Sequence, residues 1–214
     1  MGPGKKRIIF TRLIALPLIF IQLFTAHTWR NDGLLDLILE DTGVIMIGIA
    51  MLGRGWSSLF ISGHKTHDLI VVGPYSIVRN PLYVFSFIGA LGIGFCSENI
   101  ILLTVIILLF VFYYPAVIDA EEVRLKEIHG KNFSMYCERV PRLLPNFALY
   151  SCPESYEIDT RRVLRTLRDC LAFLAVFPVL ELIEHMRSIG YLPTFTTLPG
   201  NLVSAIETLF WRFS

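Results

Sequence analysis

Residues 82–118 read LYVFSFIGALGIGFCSENIILLTVIILLFVFYYPAVI, and Glu98 is the one side chain among them that is charged at neutral pH. It lies in a three-residue polar break, Ser97-Glu98-Asn99, between apolar runs at 82–96 and 100–118. So short a break between two apolar runs predicts a tight helical hairpin. About 20 apolar residues at 1.5 Å rise cross the hydrocarbon of a bilayer. The second arm is long enough to do so. The first is slightly short and is expected to begin near the interface.

Two more apolar runs precede the hairpin. Residues 8–26 follow Lys5, Lys6 and Arg7 and contain Pro17, which predicts a kinked, retained helix. Residues 37–61 begin beside Glu40 and Asp41, where carboxylates favour a helix N-terminus. Gly43, Gly48, Gly53 and Gly55 thin one side of that run for close helix contact. Arg54, near its far end, is expected either to snorkel to the interface or to face a polar cavity. The composition agrees: 54% of the 214 residues are hydrophobic and 17% charged, more apolar than a soluble domain.

Lys and Arg collect before residue 8, around Lys65 and Arg79, and after residue 118, while the opposite loops carry Arg30 and little else. The bias toward basic cytosolic loops places these three segments on the cytosolic side. The expected architecture is all-α: a polytopic bundle of four core transmembrane helices within residues 1–150. A helical extension at 151–214 follows, in which 171–183 is either a fifth span or a membrane-associated segment anchored by Arg161, Arg162, Arg165 and Arg168. The net charge of +1 offers no signature of a nucleic-acid partner. Cys96, Cys137, Cys152 and Cys170 form no C-x-x-C pair, and His64 and His67 lack a third ligand, so neither a metal site nor disulfides are expected.

Two cytosolic segments carry the polar chemistry. In GPYSIVRNPLY, residues 73–83, Gly73-Pro74 makes a turn, Asn80 suits an N-cap and Pro81 suits the first helical turn. Tyr75 and Arg79 then arrive beside a helix N-terminus whose free amides suit a carboxylate or phosphate. After residue 118 come Asp119, Glu121 and Glu122, where the chain leaves the bilayer. Glu122 and Lys126 have the spacing of an exposed ion pair. A carboxylate at that edge is also placed to bind a hydroxyl, an amine or another cation.

Together these segments resemble the isoprenylcysteine carboxyl methyltransferase and phospholipid methyltransferase superfamily. Its pattern is G-P-Y-x-x-x-R-H-P-x-Y, a transmembrane hairpin, E-E-x-x-L-x-x-x-(aromatic)-G-x-x-(aromatic)-x-x-Y, and then V-P-R-x-x-P. The matching residues are Gly73, Pro74, Tyr75, Arg79, Pro81 and Tyr83, then Glu121, Glu122, Leu125, Gly130, Phe133, Tyr136, Val140, Pro141, Arg142 and Pro145. Asn80 replaces the family's His, and His129 stands where an aromatic is usual. Asn retains hydrogen-bonding capacity but cannot titrate.

The resemblance implies methyl transfer from S-adenosylmethionine to a lipophilic acceptor: a prenylcysteine carboxylate, a phospholipid amine or a thiol. It implies a catalytic set of Arg79, Glu121 and Glu122. Cofactor contacts would come from Tyr75, Arg79, Asn80, Pro81, Tyr83, Glu121, Glu122, Tyr136 and Arg142. The expected partners are the acceptor and membrane lipid. Two alternatives remain at this stage: a non-catalytic membrane scaffold or lipid-binding member of the fold, and a nicotinamide-dependent membrane reductase relative.

Overall fold

The computed structural model describes residues 34–61, 68–156 and 175–191, with 164, 168 and 171 as isolated positions. The expected helix at 8–26, the histidines at 64 and 67 and the segment 202–213 lie outside the described residues. Among the described residues all regular structure is helical. Helix α1 spans Leu34–Ile61, the single turn α2 Pro74–Ile77, α3 Pro81–Cys96 and α4 Ile100–Leu108. A π-helical turn at Leu109–Tyr113 leads directly into α5, Tyr114–His129. Then come α6, Lys131–Arg139, a 3₁₀ turn at Phe147–Leu149, and α7, Val176–Ser188.

Leu37–Ile61 and Ile100–His129 are long and apolar enough to cross a membrane. The 16 residues of α3 rise about 24 Å, short of the hydrocarbon thickness as the sequence led us to expect. Side chains on both sides of Glu98 tie the turn that joins α3 to α4. The Asn99 side chain accepts from the backbone N–H groups of Ile101 and Leu102, both at 3.1 Å, and the Ser97 hydroxyl donates to the Gly94 carbonyl at 2.7 Å. Glu98 takes the left-handed conformation, φ 51°, that reverses the chain.

Helices α1 and α3 meet along their glycines. A Cβ at Gly43 would lie 2.7 Å from the Gly92 carbonyl oxygen, and one at Gly53 would enter the ring of Phe85. Gly48 faces open space, so the expected thin side is not used along its whole length. The α1 face turned away from α3 exposes Ile45, Ile49 and Leu52.

The helix carrying the paired glutamates does not stop at residue 118 but continues unbroken to His129. Its π turn has a local cause. Pro115 has no N–H and its ring collides with the carbonyl four residues earlier, so the helix widens just before it. Glu121 lies 21 residues beyond Ile100, about 32 Å along the axis, which matches the thickness of the hydrocarbon.

Beyond α6, residues 140–156 form a strap back across the loop before α3. Arg79 N–H donates to the Pro141 carbonyl (2.9 Å), Asn146 N–H to Ile77 (2.9 Å) and Gly73 N–H to Ser151 (2.7 Å). The strap finishes with the Tyr156 hydroxyl donating to the Phe60 carbonyl at 2.8 Å, near the end of α1. Further on, Phe177 and Leu180 of α7 pack with Ile47, Ile93 and Cys96, at the opposite half of the bundle.

Candidate active site

The site forms where three elements arrive together: the start of α3, the emerging part of α5 and the strap. The 73–80 loop is held by geometry only glycine tolerates easily. Gly73 has φ 60°, and a Cβ there would strike the Phe60 ring. Pro74 opens the single turn of α2, whose residues are all buried, and Val78 is extended, so Arg79 and Asn80 project toward α5.

Glu122 is the centre of the arrangement. Its Oε1 accepts a hydrogen bond from Asn80 Nδ2 at 3.1 Å. The same oxygen lies 3.6 Å from Arg79 Nε and 3.5 Å from Arg142 Nε. Arg142 also pairs with Asp119, one turn back on α5. Glu121, about 100° further round the helix, serves a different neighbour: its Oε2 accepts from the Tyr83 hydroxyl at 2.8 Å. Tyr83 is steadied by an aromatic ladder between α3 and α5. Its ring meets Tyr114 edge-on at 5.7 Å, Tyr114 stacks on Phe110 at 3.9 Å, and Phe110 packs against Phe87 at 4.6 Å.

Three expectations are corrected by this geometry. Asn80 occupies the N-cap position of α3 and Pro81 the first turn, but the Asn80 side chain makes no capping bond. Its Nδ2 donates to Glu122 and to the Arg142 carbonyl (3.3 Å), so it ties α5 and the strap to the start of α3. Glu122 pairs with Arg79 and Arg142, not with Lys126. Arg54 does not snorkel. Its Nη1 donates to the Leu82 carbonyl at 3.4 Å and to the Ser86 hydroxyl, which binds it across to α3.

The other named residues fall in two groups. The Tyr136 hydroxyl donates to the Tyr75 carbonyl at 2.7 Å, and its ring packs with Phe133 and Val140 in a small core, a buried structural position. Tyr75 is 8% exposed, and its hydroxyl has no hydrogen-bond partner. Burial pushes that hydroxyl well above its ordinary value of 10.0, with Tyr136, Glu121 and Tyr156 adding to the shift and Arg54 opposing it. Tyr75 therefore remains an O–H donor at neutral pH. Arg79 Nε and Arg142 Nε are likewise buried without a hydrogen bond, although each is in ion-pair range of Glu122. Beside them an open groove of about 460 Å³ runs between α5 and α6, lined by Asp119, Glu122, Val123, Lys126, Phe133, Ser134 and Cys137. Asp119 was absent from the expected site set. Its signal was the three-residue spacing to Glu122, which puts both carboxylates on one helix face.

The arrangement thus offers two guanidiniums, three carboxylates and the Tyr75 hydroxyl at one end of the α3–α4 hairpin. These are groups suited to a zwitterionic ligand with hydroxyls. Asn80→Ser shortens the side chain so that it cannot reach both Glu122 and the Arg142 carbonyl. Loss of one hydrogen bond to a charged group is worth about 1.5–3 kcal/mol. We expect Asn80→Ser to lose stability of that order, read as a lower unfolding temperature in detergent. Asn80→His retains one donor toward Glu122 and should unfold near the parent temperature. Unchanged unfolding in Asn80→Ser would remove this amide as the tie between α3, α5 and the strap.

Comparison with known proteins gives the same address. Residues 35–132 match the family model for phospholipid methyltransferase, which covers α1, the 73–83 loop, the hairpin and both glutamates. The nickel-cobalt-cadmium resistance protein NccN of Alcaligenes xylosoxydans xylosoxydans is 34% identical over 87% of this chain and 87% of its own. The cobalt-zinc-cadmium resistance protein CzcN of Cupriavidus metallidurans is 32% identical over 91% of this chain and 87% of its own. Protein-S-isoprenylcysteine O-methyltransferase B of Arabidopsis thaliana is 26% identical over 60% of this chain and 66% of its own. No solved structure matches significantly. With loop, hairpin and paired glutamates all inside the matched region, the chain belongs to the superfamily of membrane methyltransferases that includes the phospholipid and isoprenylcysteine carboxyl methyltransferases.

Proposed function

We propose that this protein transfers a methyl group from S-adenosylmethionine to a nucleophile on a lipophilic acceptor, at the cytosolic edge of the membrane. The observation that carries this reading is the carboxylate of Glu122 shared between Arg79, Arg142 and Asn80 at the mouth of the hairpin. When bound, the cofactor would supply an electrophilic methyl carbon, whose C–S electron pair would stay with sulfur as the acceptor's lone pair took its place. The protein need only bind and align, since in-line approach supplies most of the rate. Arg79 and Arg142 suit the cofactor's carboxylate by their charge. Glu121, Glu122 and Asp119 suit its ammonium and ribose hydroxyls. The Tyr75 hydroxyl is a further donor into the same region. Five positively or negatively charged groups here sum to −1, which complements a cofactor of net charge +1.

The names of NccN and CzcN support a physiological setting in tolerance to nickel, cobalt, cadmium or zinc. Among the described residues no group of three or more His, Cys, Asp and Glu side chains is arranged to hold a metal ion. We place the contribution in methyl transfer on the strength of the family match and the Glu122 arrangement. The test is transfer of labelled methyl from S-adenosylmethionine to prenylcysteine, phospholipid-amine and thiol acceptors by the detergent-purified chain. Growth on those metals with parent and Glu122→Gln protein is scored alongside. Binding of NADPH instead, or no labelled product with any acceptor, sinks the reading in favour of a reductase or a scaffold.

The same reading sets the topology. Tyr156 is tied to the Phe60 end of α1, whereas Leu180 packs with Cys96 and Ile47 at the other half. This supports the reading of 171–183 as a fifth span rather than a membrane-associated segment. Thr66→Cys should resist a membrane-impermeant thiol reagent applied outside sealed cells, and Ile189→Cys should react. Labelling of both, or of neither, would overturn the five-span arrangement.

A further inference from the structure

The strap between α6 and Tyr156 has two unlike sides. Its inner side is bonded to the loop that builds the site, through Pro141, Asn146 and Ser151. Its outer side is apolar: Leu144 is 82% exposed and Phe147 74%, with Leu143 and Tyr150 exposed as well. A loop facing water at this length would not collect four large apolar side chains in eight residues without a surface to cover them.

The level of the strap identifies that surface. Tyr150 packs against Trp56 of α1 with ring centroids 6.1 Å apart. Trp56 lies five residues before the end of α1 at Ile61, about 7.5 Å along the axis. It continues, at helical spacing, the exposed stripe of Ile45, Ile49 and Leu52. The outer face of the strap is therefore an extension of the apolar stripe that α1 turns toward lipid, with Trp and Tyr at the boundary where such rings are favoured.

We infer that the strap around Leu144, Phe147 and Tyr150 is an interfacial anchor that dips into the cytosolic leaflet beside α1. The occupant of this surface is lipid. The inference rests on α1 spanning the bilayer, though not on the chemistry assigned to the site. Its structural effect is to fasten Arg142, which the strap carries over Glu122, to the membrane surface.

The test uses the full chain in phosphatidylcholine nanodiscs with and without bromine on the acyl chains. Leu144→Trp and, as a conservative second position, Phe147→Trp add emission over that of the parent. Glu138→Trp, on the exposed side of α6, is the control. Bromolipid should remove most of the added emission at 144 and 147 and leave that at 138 unchanged. Added emission at 144 and 147 that survives in discs that do quench the parent's tryptophans overturns the anchor while α1 still spans. A second copy covering the strap would give that same result with two chains per disc. No quenching in the parent overturns the anchor and the spanning of α1 together.

Discussion

Glu122→Gln should reduce methyl transfer by about 100-fold or more, equivalent to roughly 2.7 kcal/mol of transition-state stabilisation. The substitution keeps size and shape but removes the charge that one oxygen presents to Arg79 at 3.6 Å and Arg142 at 3.5 Å. Two guanidiniums would then share a partly buried space with no carboxylate between them. In a fully buried pair the loss of one partner costs about 3–5 kcal/mol. Glu122 retains about a fifth of its exposure, so solvent screening should hold the stability loss well below that. Glu121→Gln should be milder, because the Tyr83 hydroxyl can still donate to an amide oxygen. The measurement is labelled-methyl turnover beside thermal unfolding in the same detergent. A folded Glu122→Gln protein with parental turnover would make this carboxylate a structural tie alone.

The largest stability effect is expected from Gly43→Val. Its Cβ would lie 2.5 Å from Cys96 Sγ, 2.7 Å from the Gly92 carbonyl oxygen and 2.9 Å from the Cys96 backbone nitrogen. Two of those three atoms are backbone and cannot rotate away, so α1 and α3 must separate. Overpacking of a close contact costs about 1–3 kcal/mol and occasionally more. We place this variant at or above the top of that range, with a lowered unfolding temperature and poor recovery of folded protein. Gly48→Val, five residues along the same helix and facing open space, is the matched control and should cost little. Equal stability of the two variants would remove the glycine contact as the basis of α1–α3 packing.

Much of this molecule was written in its hydropathy. The Ser97-Glu98-Asn99 break specified the hairpin because three residues leave the chain no other route between two apolar runs. The spacing of Arg79, Glu121 and Glu122 around that hairpin brought both segments to one end. What the sequence did not disclose was which side chain bonds which. Asn80 carries the signature of a helix cap, and only the arrival of Glu122 and the Arg142 carbonyl, 42 and 62 positions away, diverts its amide. For Arg54 both the interface and a polar cavity stood open, since nothing local shows that Ser86 of a distant helix will receive it. Tyr136 belongs to the family pattern, yet its hydroxyl is held by the Tyr75 carbonyl. Local patterns record propensity and burial. Partners supplied by long-range packing leave no mark near the residue that receives them.

The wide turn at Leu109–Tyr113 has one more consequence. It acts as a phase setting for everything downstream, because α4 and α5 are one continuous rod. A π turn holds about one residue more than an α turn, and each residue turns an α-helix by about 100°. Closing that turn to α geometry with no residue lost would bring Ala120 and Glu121 round to the azimuths now held by Glu121 and Glu122, and would push both glutamates about 1.5 Å further from the bilayer. Tyr83 would face alanine, and the two guanidiniums would meet the wrong glutamate. Pro115, by keeping this turn wide, therefore decides from six residues away which carboxylate meets which partner.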